Sequence, residues 1–143
     1  MAWLPPTIES VEFINMRFLN KRLEIRRLPE SMQRLSAVYC NLNGTLDLQS
    51  FPVNMSFINL KRNDFIGTLD LTQLPESMQT IFVIQNSLDT IVFSNRLLPK
   101  EFLQANFYQV KKIRMVPIDG KKADSRISLL SSDIPRYVNR MGL

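Results

Sequence analysis

Residues 55–65 read MSFINLKRNDF, and this stretch decides the fold. Ile58 and Leu60 are apolar, and they alternate with Phe57, Asn59 and Lys61. A period of two residues predicts a short strand with one buried face. Asn63 comes where the chain must leave that strand, and an Asn side chain can satisfy buried backbone groups in a turn. Working outward, Phe51-Pro52 precedes the stretch, and like pairs stand at Leu4-Pro5, Leu28-Pro29, Leu74-Pro75 and Leu98-Pro99. Their spacings are 24, 23, 23 and 24 residues, which makes the sequence a tandem repeat. Its units are 4–27, 28–50, 51–73, 74–97 and a degenerate 98–120, with a basic cap or tail at 121–143.

Columns within the units agree. Four places after the leading residue stand Ile8, Met32, Met55, Met78 and Phe102. Seven after come Val11, Leu35, Ile58, Ile81 and Ala105, and nine after come Phe13, Ala37, Leu60, Val83 and Phe107. Fourteen after come Phe18, Leu42, Phe65 and Leu88. All these columns are expected in the core, and the methionines there fill space and bind no metal. Gly44 and Gly67 precede the near-identical stretches Thr45–Leu48 and Thr68–Leu71, where a tight bend should lead into a second apolar row. The prolines discourage helix before each strand.

Met55-x-x-Ile58-x-Leu60-x-x-Asn63-x-Phe65 resembles the signature of the leucine-rich-repeat family, and Met78 to Leu88 is a second full match. Met32 to Leu42 is a third, with Cys40 in the Asn position, a replacement the family often shows. The first unit departs from the pattern at Met16, and the fifth at Val110 and Lys112. The resemblance implies an α/β-type solenoid: a right-handed, curved superhelix with a parallel sheet on its concave side. The short, proline-punctuated units suggest little helix on the convex side. Cys40 is expected as a buried structural thiol whose weak S–H donor stands in for the Asn.

Function must then lie on the outward lanes of the strands, six, eight and ten places after each leading residue. They read Ser10, Arg34, Phe57, Thr80, Gln104; then Glu12, Ser36, Asn59, Phe82, Asn106; then Ile14, Val38, Lys61, Ile84, Tyr108. Beside the last lie Asn15, Tyr39, Arg62, Gln85 and Gln109. Lanes that should be solvated thus hold aromatic and aliphatic residues rimmed by cations, the make-up of a protein-binding surface. The candidate partner-binding residues are Arg34, Val38, Phe57, Asn59, Lys61, Arg62, Phe82, Ile84 and Tyr108. A competing account is that β-branched and aromatic residues simply favour strands.

The formal net charge of +5 is uneven. Residues 1–97 hold nine basic and nine acidic residues, and 98–143 hold nine and four, so the repeat body is neutral. Lys111, Lys112, Arg114, Lys121 and Lys122 are therefore the candidate contacts for RNA or another anion. That gives a second hypothesis, a structural subunit of a large assembly such as a ribonucleoprotein. An enzyme is disfavoured: no His, no Gly-rich phosphate loop and no nucleophile elbow occur, and no cofactor or metal is expected. No apolar run suits a membrane span, and Met1–Pro6 carries no leader pattern, so a cytoplasmic protein is expected. The thinly capped N-terminal edge, covered only by Met1–Leu4, invites self-association or another chain.

The degenerate end leaves two readings open. Residues 104–108 fit a last strand, whereas Phe102, Leu103, Phe107 and Val110 also suit an amphipathic helix after Pro99. Residues 119–133 read as loop, with Asp133 capping a short helix over 135–141.

Overall fold

In the computed structural model the described residues are 4–108 and 112–130. They form ten strands: β1 (Ser10–Ile14), β2 (Arg34–Val38), β3 (Asn43–Gly44), β4 (Phe57–Asn59), β5 (Asp64–Asp70), β6 (Thr80–Phe82), β7 (Ser87–Phe93), β8 (Gln104–Tyr108), β9 (Arg114–Pro117) and β10 (Ile127–Leu130). One parallel sheet runs β1-β2-β4-β6-β8-β10, and a second runs β3-β5-β7-β9. The chain alternates between them, so the fold is a parallel-strand β-solenoid of about five turns with little helix. Only single 3-10 turns occur, such as Ile25–Arg27, Leu48–Ser50 and Asn95–Leu97. Among the described residues no helix is long and apolar enough to cross a membrane.

Proline shapes the entries to β2, β4, β6 and β8 in the first sheet. Leu28, Phe51 and Leu98 end those three 3-10 turns in extended backbone, with ψ of 141°, 151° and 141°, because the following Pro excludes the helical region. The next turn closes by Met32 N–H to Pro29 O at 3.0 Å, repeated from Met55 to Pro52 and Met78 to Pro75 at 2.9 Å. In the two LPESMQ copies, the Ser then ties the unit to its predecessor. Ser31 Oγ donates to Ile8 O at 2.8 Å or Pro6 O at 3.0 Å, and Ser77 Oγ to Val53 O at 2.6 Å or Met55 O at 2.9 Å.

First-sheet registers match the repeat columns: Leu35 pairs with Ile58 and Ile58 with Ile81. The inward columns are buried through the central units, Met32, Met55, Met78, Ile58, Leu60 and Phe65 completely. At the exits from β4 and β6 Asn acts as expected. Asn63 Oδ1 accepts from Cys40 N (3.1 Å) and Leu42 N (3.0 Å), while Nδ2 is within reach of Ala37 O (2.7 Å) and Leu60 O (3.1 Å). Asn86 Oδ1 accepts from Phe65 N (3.1 Å), and its Nδ2 reaches Leu60 O at 2.9 Å. In the same place Cys40 Sγ lies 3.7 Å from Phe13 O and 3.3 Å from Val38 O, a buried thiol in a weaker version of the bond. Burial pushes its pKa up, so it is a poor nucleophile.

Three expectations are corrected or refined. Phe18 sits in a core column yet is 76% exposed, and Ile8, Val11 and Met16 are only half-buried. Among the described residues β1 has a neighbour on one side only, so its unit lacks half the packing that buries this pattern elsewhere. The second apolar row is itself a parallel sheet: Leu69, Leu71, Ile91 and Phe93 are buried within or beside β5 and β7. Between Gly67 and Thr68 its register slips, leaving Asp89 of β7 without a partner on β5. Finally, the stretch 119–133 is not all loop. Ile127–Leu130 pairs with β8 and adds a sixth strand to the first sheet. Of the two readings of the degenerate end, the strand over Gln104–Tyr108, the favoured one, is the one observed. The helix expected over 135–141, like Trp3 and Lys111, lies outside the described residues.

Candidate protein-docking face

The first sheet has one face against the core and one turned out. On the outward face the repeat sets side chains in lanes about one strand apart. Phe57 of β4 faces Thr80 of β6 in register, and Asn59 faces Phe82. Phe57 and Phe82 are therefore diagonal neighbours, a separation that aromatic side chains span. Their ring centroids lie 5.9 Å apart at 81°, an edge-to-face pair.

Cations lie over both rings. The Arg34 guanidinium carbon is 4.1 Å from the Phe57 centroid, and Lys61 Nζ is 4.7 Å from that of Phe82. Each contact is a cation–π interaction, worth about 0.5–2 kcal/mol according to its desolvation. The result is a continuous run, Arg34–Phe57–Phe82–Lys61, across β2, β4, β6 and the residues just after β4. Arg34 is exposed and the two rings are half-buried. Lys61 is 7% exposed, and that burial pushes its pKa below the usual lysine value.

The lanes are less uniformly solvated than the sequence implies. Ser36 (8% exposed), Ile84 (9%) and Thr80 are buried although they point outward. Among the described residues, Ser36 Oγ is buried with no hydrogen-bond partner. Asn59 is half-buried, its Oδ1 3.5 Å from Lys61 N. Val38 and Tyr108 are half-buried at the ends of β2 and β8.

A ridge borders the third lane. Asn15, Tyr39, Arg62 and Gln85 occupy the same column in four successive units, and all have positive φ, from 55° to 58°. The left-handed bend that follows β1, β2, β4 and β6 is thus made without glycine, at a cost of about 1–3 kcal/mol each. It projects polar and aromatic side chains beside the patch. Arg62 Nε donates to Gln85 Oε1 at 2.7 Å, and Arg17 lies 5.0 Å over the Tyr39 ring. Arg17 lies outside the outward lanes, and no spacing pointed to it.

The candidate anion contacts are less gathered. Lys112, Arg114, Lys121 and Lys122 are exposed, the first two at β9 and the other two beyond the turn at Asp119-Gly120. Arg126 is engaged, its Nη2 2.6 Å from Asp124 Oδ2 and 3.1 Å from Asn95 O. The Arg126 guanidinium holds the Asp124 carboxyl below the usual carboxylate range. Among the described residues no group of three His, Cys, Asp or Glu side chains is placed to hold a metal ion. No protein-family model, no curated protein and no solved structure matches the chain.

Proposed function

We propose that this chain is a non-enzymatic binding module of the leucine-rich-repeat type, whose six-stranded sheet is the concave side of a right-handed solenoid and docks a protein partner. The signature positions support the repeat type: Asn63 and Asn86 hold the backbone of the turn in neighbouring units, and Cys40 replaces them in kind. The observation that carries the docking role is the Arg34–Phe57–Phe82–Lys61 run. Two half-buried aromatic rings flanked by cations, on the outward face of the sheet, gain on binding by losing the rest of their contact with water. Aromatic and Arg anchors are the side chains that most often dominate binding energy at interfaces.

The experiment is affinity purification from the native source with the wild-type chain and with the Phe57→Ser/Phe82→Ser variant, checked for folding by circular dichroism. A partner that binds wild type and is lost from the folded variant supports the proposal. A set of bound proteins that is the same for both contradicts it.

A further inference from the structure

From the outward face itself we infer that the docked partner is an acidic segment, an extended stretch of polypeptide whose Asp or Glu pairs with Arg34 beside an apolar side chain seated on Phe57 and Phe82. The inference rests on the docking role proposed above and adds the chemistry of the occupant. Two observations carry it.

The first is the state of Arg34. One face of its guanidinium is taken by the Phe57 ring at 4.1 Å. That contact restrains a long side chain and leaves its N–H edge for planar acceptors. Arg34 is exposed, and no carboxylate of the described residues pairs with it. A pre-oriented guanidinium with an unused fork is suited to a bidentate carboxylate.

The second is charge. From β2 to β8 the outward lanes and the bordering ridge carry Arg34, Lys61 and Arg62 and no Asp or Glu. Glu12, the acid of these lanes, is on β1, paired in register with Ser36. The face is therefore positive over β2 and β4 and negative at β1. A segment crossing it is favoured with its carboxylate over Arg34 and Phe57, and disfavoured with it over Glu12.

The test is selection from a displayed library of random peptides, each about twelve residues long, against the full chain. Wild type should enrich peptides with Asp or Glu within a few residues of an aromatic or Leu. Arg34→Glu should weaken these peptides by about tenfold or more and should select Lys- or Arg-rich peptides in their place. Arg34→Gln, which adds no repulsion, is the second variant should Arg34→Glu fail to fold, and it should weaken them in the same sense. A selected pool with no acidic surplus, or one indifferent to both Arg34 variants, overturns the inference. If such a pool is nonetheless lost on Phe57→Ser/Phe82→Ser, the docking role stands and only the acidic partner falls. If no pool depends on Phe57 and Phe82, both fall. A single-stranded RNA that binds through Arg34 more tightly than the selected peptides also overturns the inference, in favour of a nucleic-acid occupant.

Discussion

On β4, Ile58 is turned into the core while Phe57 and Asn59 are turned out, and the two sides of this one strand obey different rules. Inward positions repeat from unit to unit with little latitude. Leu35, Ile58 and Ile81 stack in register and are fully buried. Outward positions vary far more: Arg34, Phe57, Thr80 and Gln104 share a lane and differ in size, charge and polarity. The comparison separates what builds the solenoid from what distinguishes this one. Packing dictates the inward side, so its conservation from unit to unit is a matter of stability. Packing leaves the outward side open, and there the chain sets two rings edge to face under two cations. Substitutions should divide the same way, inward ones costing stability and outward ones costing binding.

The largest stability effect is expected at Asn63. Asn63→Ala strips partners from the buried N–H groups of Cys40 and Leu42 and from carbonyls including Ala37 O. With about 1–3 kcal/mol for each buried group left unpaired, the loss should be about 3–5 kcal/mol in a urea titration. A loss below about 1 kcal/mol would mean that the turn does not depend on this side chain. Cys40→Ala sharpens the point at the equivalent position. Its thiol makes longer, weaker bonds to Phe13 O and Val38 O, so the cost should be about 1–2 kcal/mol. A cost equal to that of Asn63→Ala would show the two residues to be full equivalents. Phe18→Ser is the smallest. It lies in a nominal core column but is exposed, so its change should stay within about 0.5 kcal/mol.

These contrasts also mark what the sequence made legible. The strand columns, their register, the role of Asn63 and Asn86 and the proximity of Phe57 to Phe82 follow from a repeat of 23–24 residues, because parallel stacking turns column position into spatial neighbourhood. The second sheet was less visible. Thr68–Leu71 alternates over too few residues to separate a strand from a turn with a buried Leu, and only pairing with β7 decides it. The strand at Ile127–Leu130 lacks a leading proline and the Asn column, so no repeat signal reached it, and its place comes from pairing with β8. Phe18 shows the limit of column logic: in the first unit, flanked on one side among the described residues, Phe13 is still buried whereas Phe18 is exposed. On the candidate site, lane order gave the neighbours but not their burial. Ser36, Thr80, Lys61 and Ile84 are buried on this face, which no sequence pattern encodes.

The central claim is that the outward stack binds and does not hold the fold. It is tested most directly by measuring, on Phe57→Ser/Phe82→Ser and on wild type, both the urea unfolding free energy and the affinity for a partner retained by wild type. The cross-strand pair and its cations contribute modestly to folding, so stability should fall by no more than about 1–2 kcal/mol, while affinity should fall by about a hundredfold or more. Unchanged affinity with a large loss of stability would contradict the claim and return Phe57 and Phe82 to the structural side of the strand.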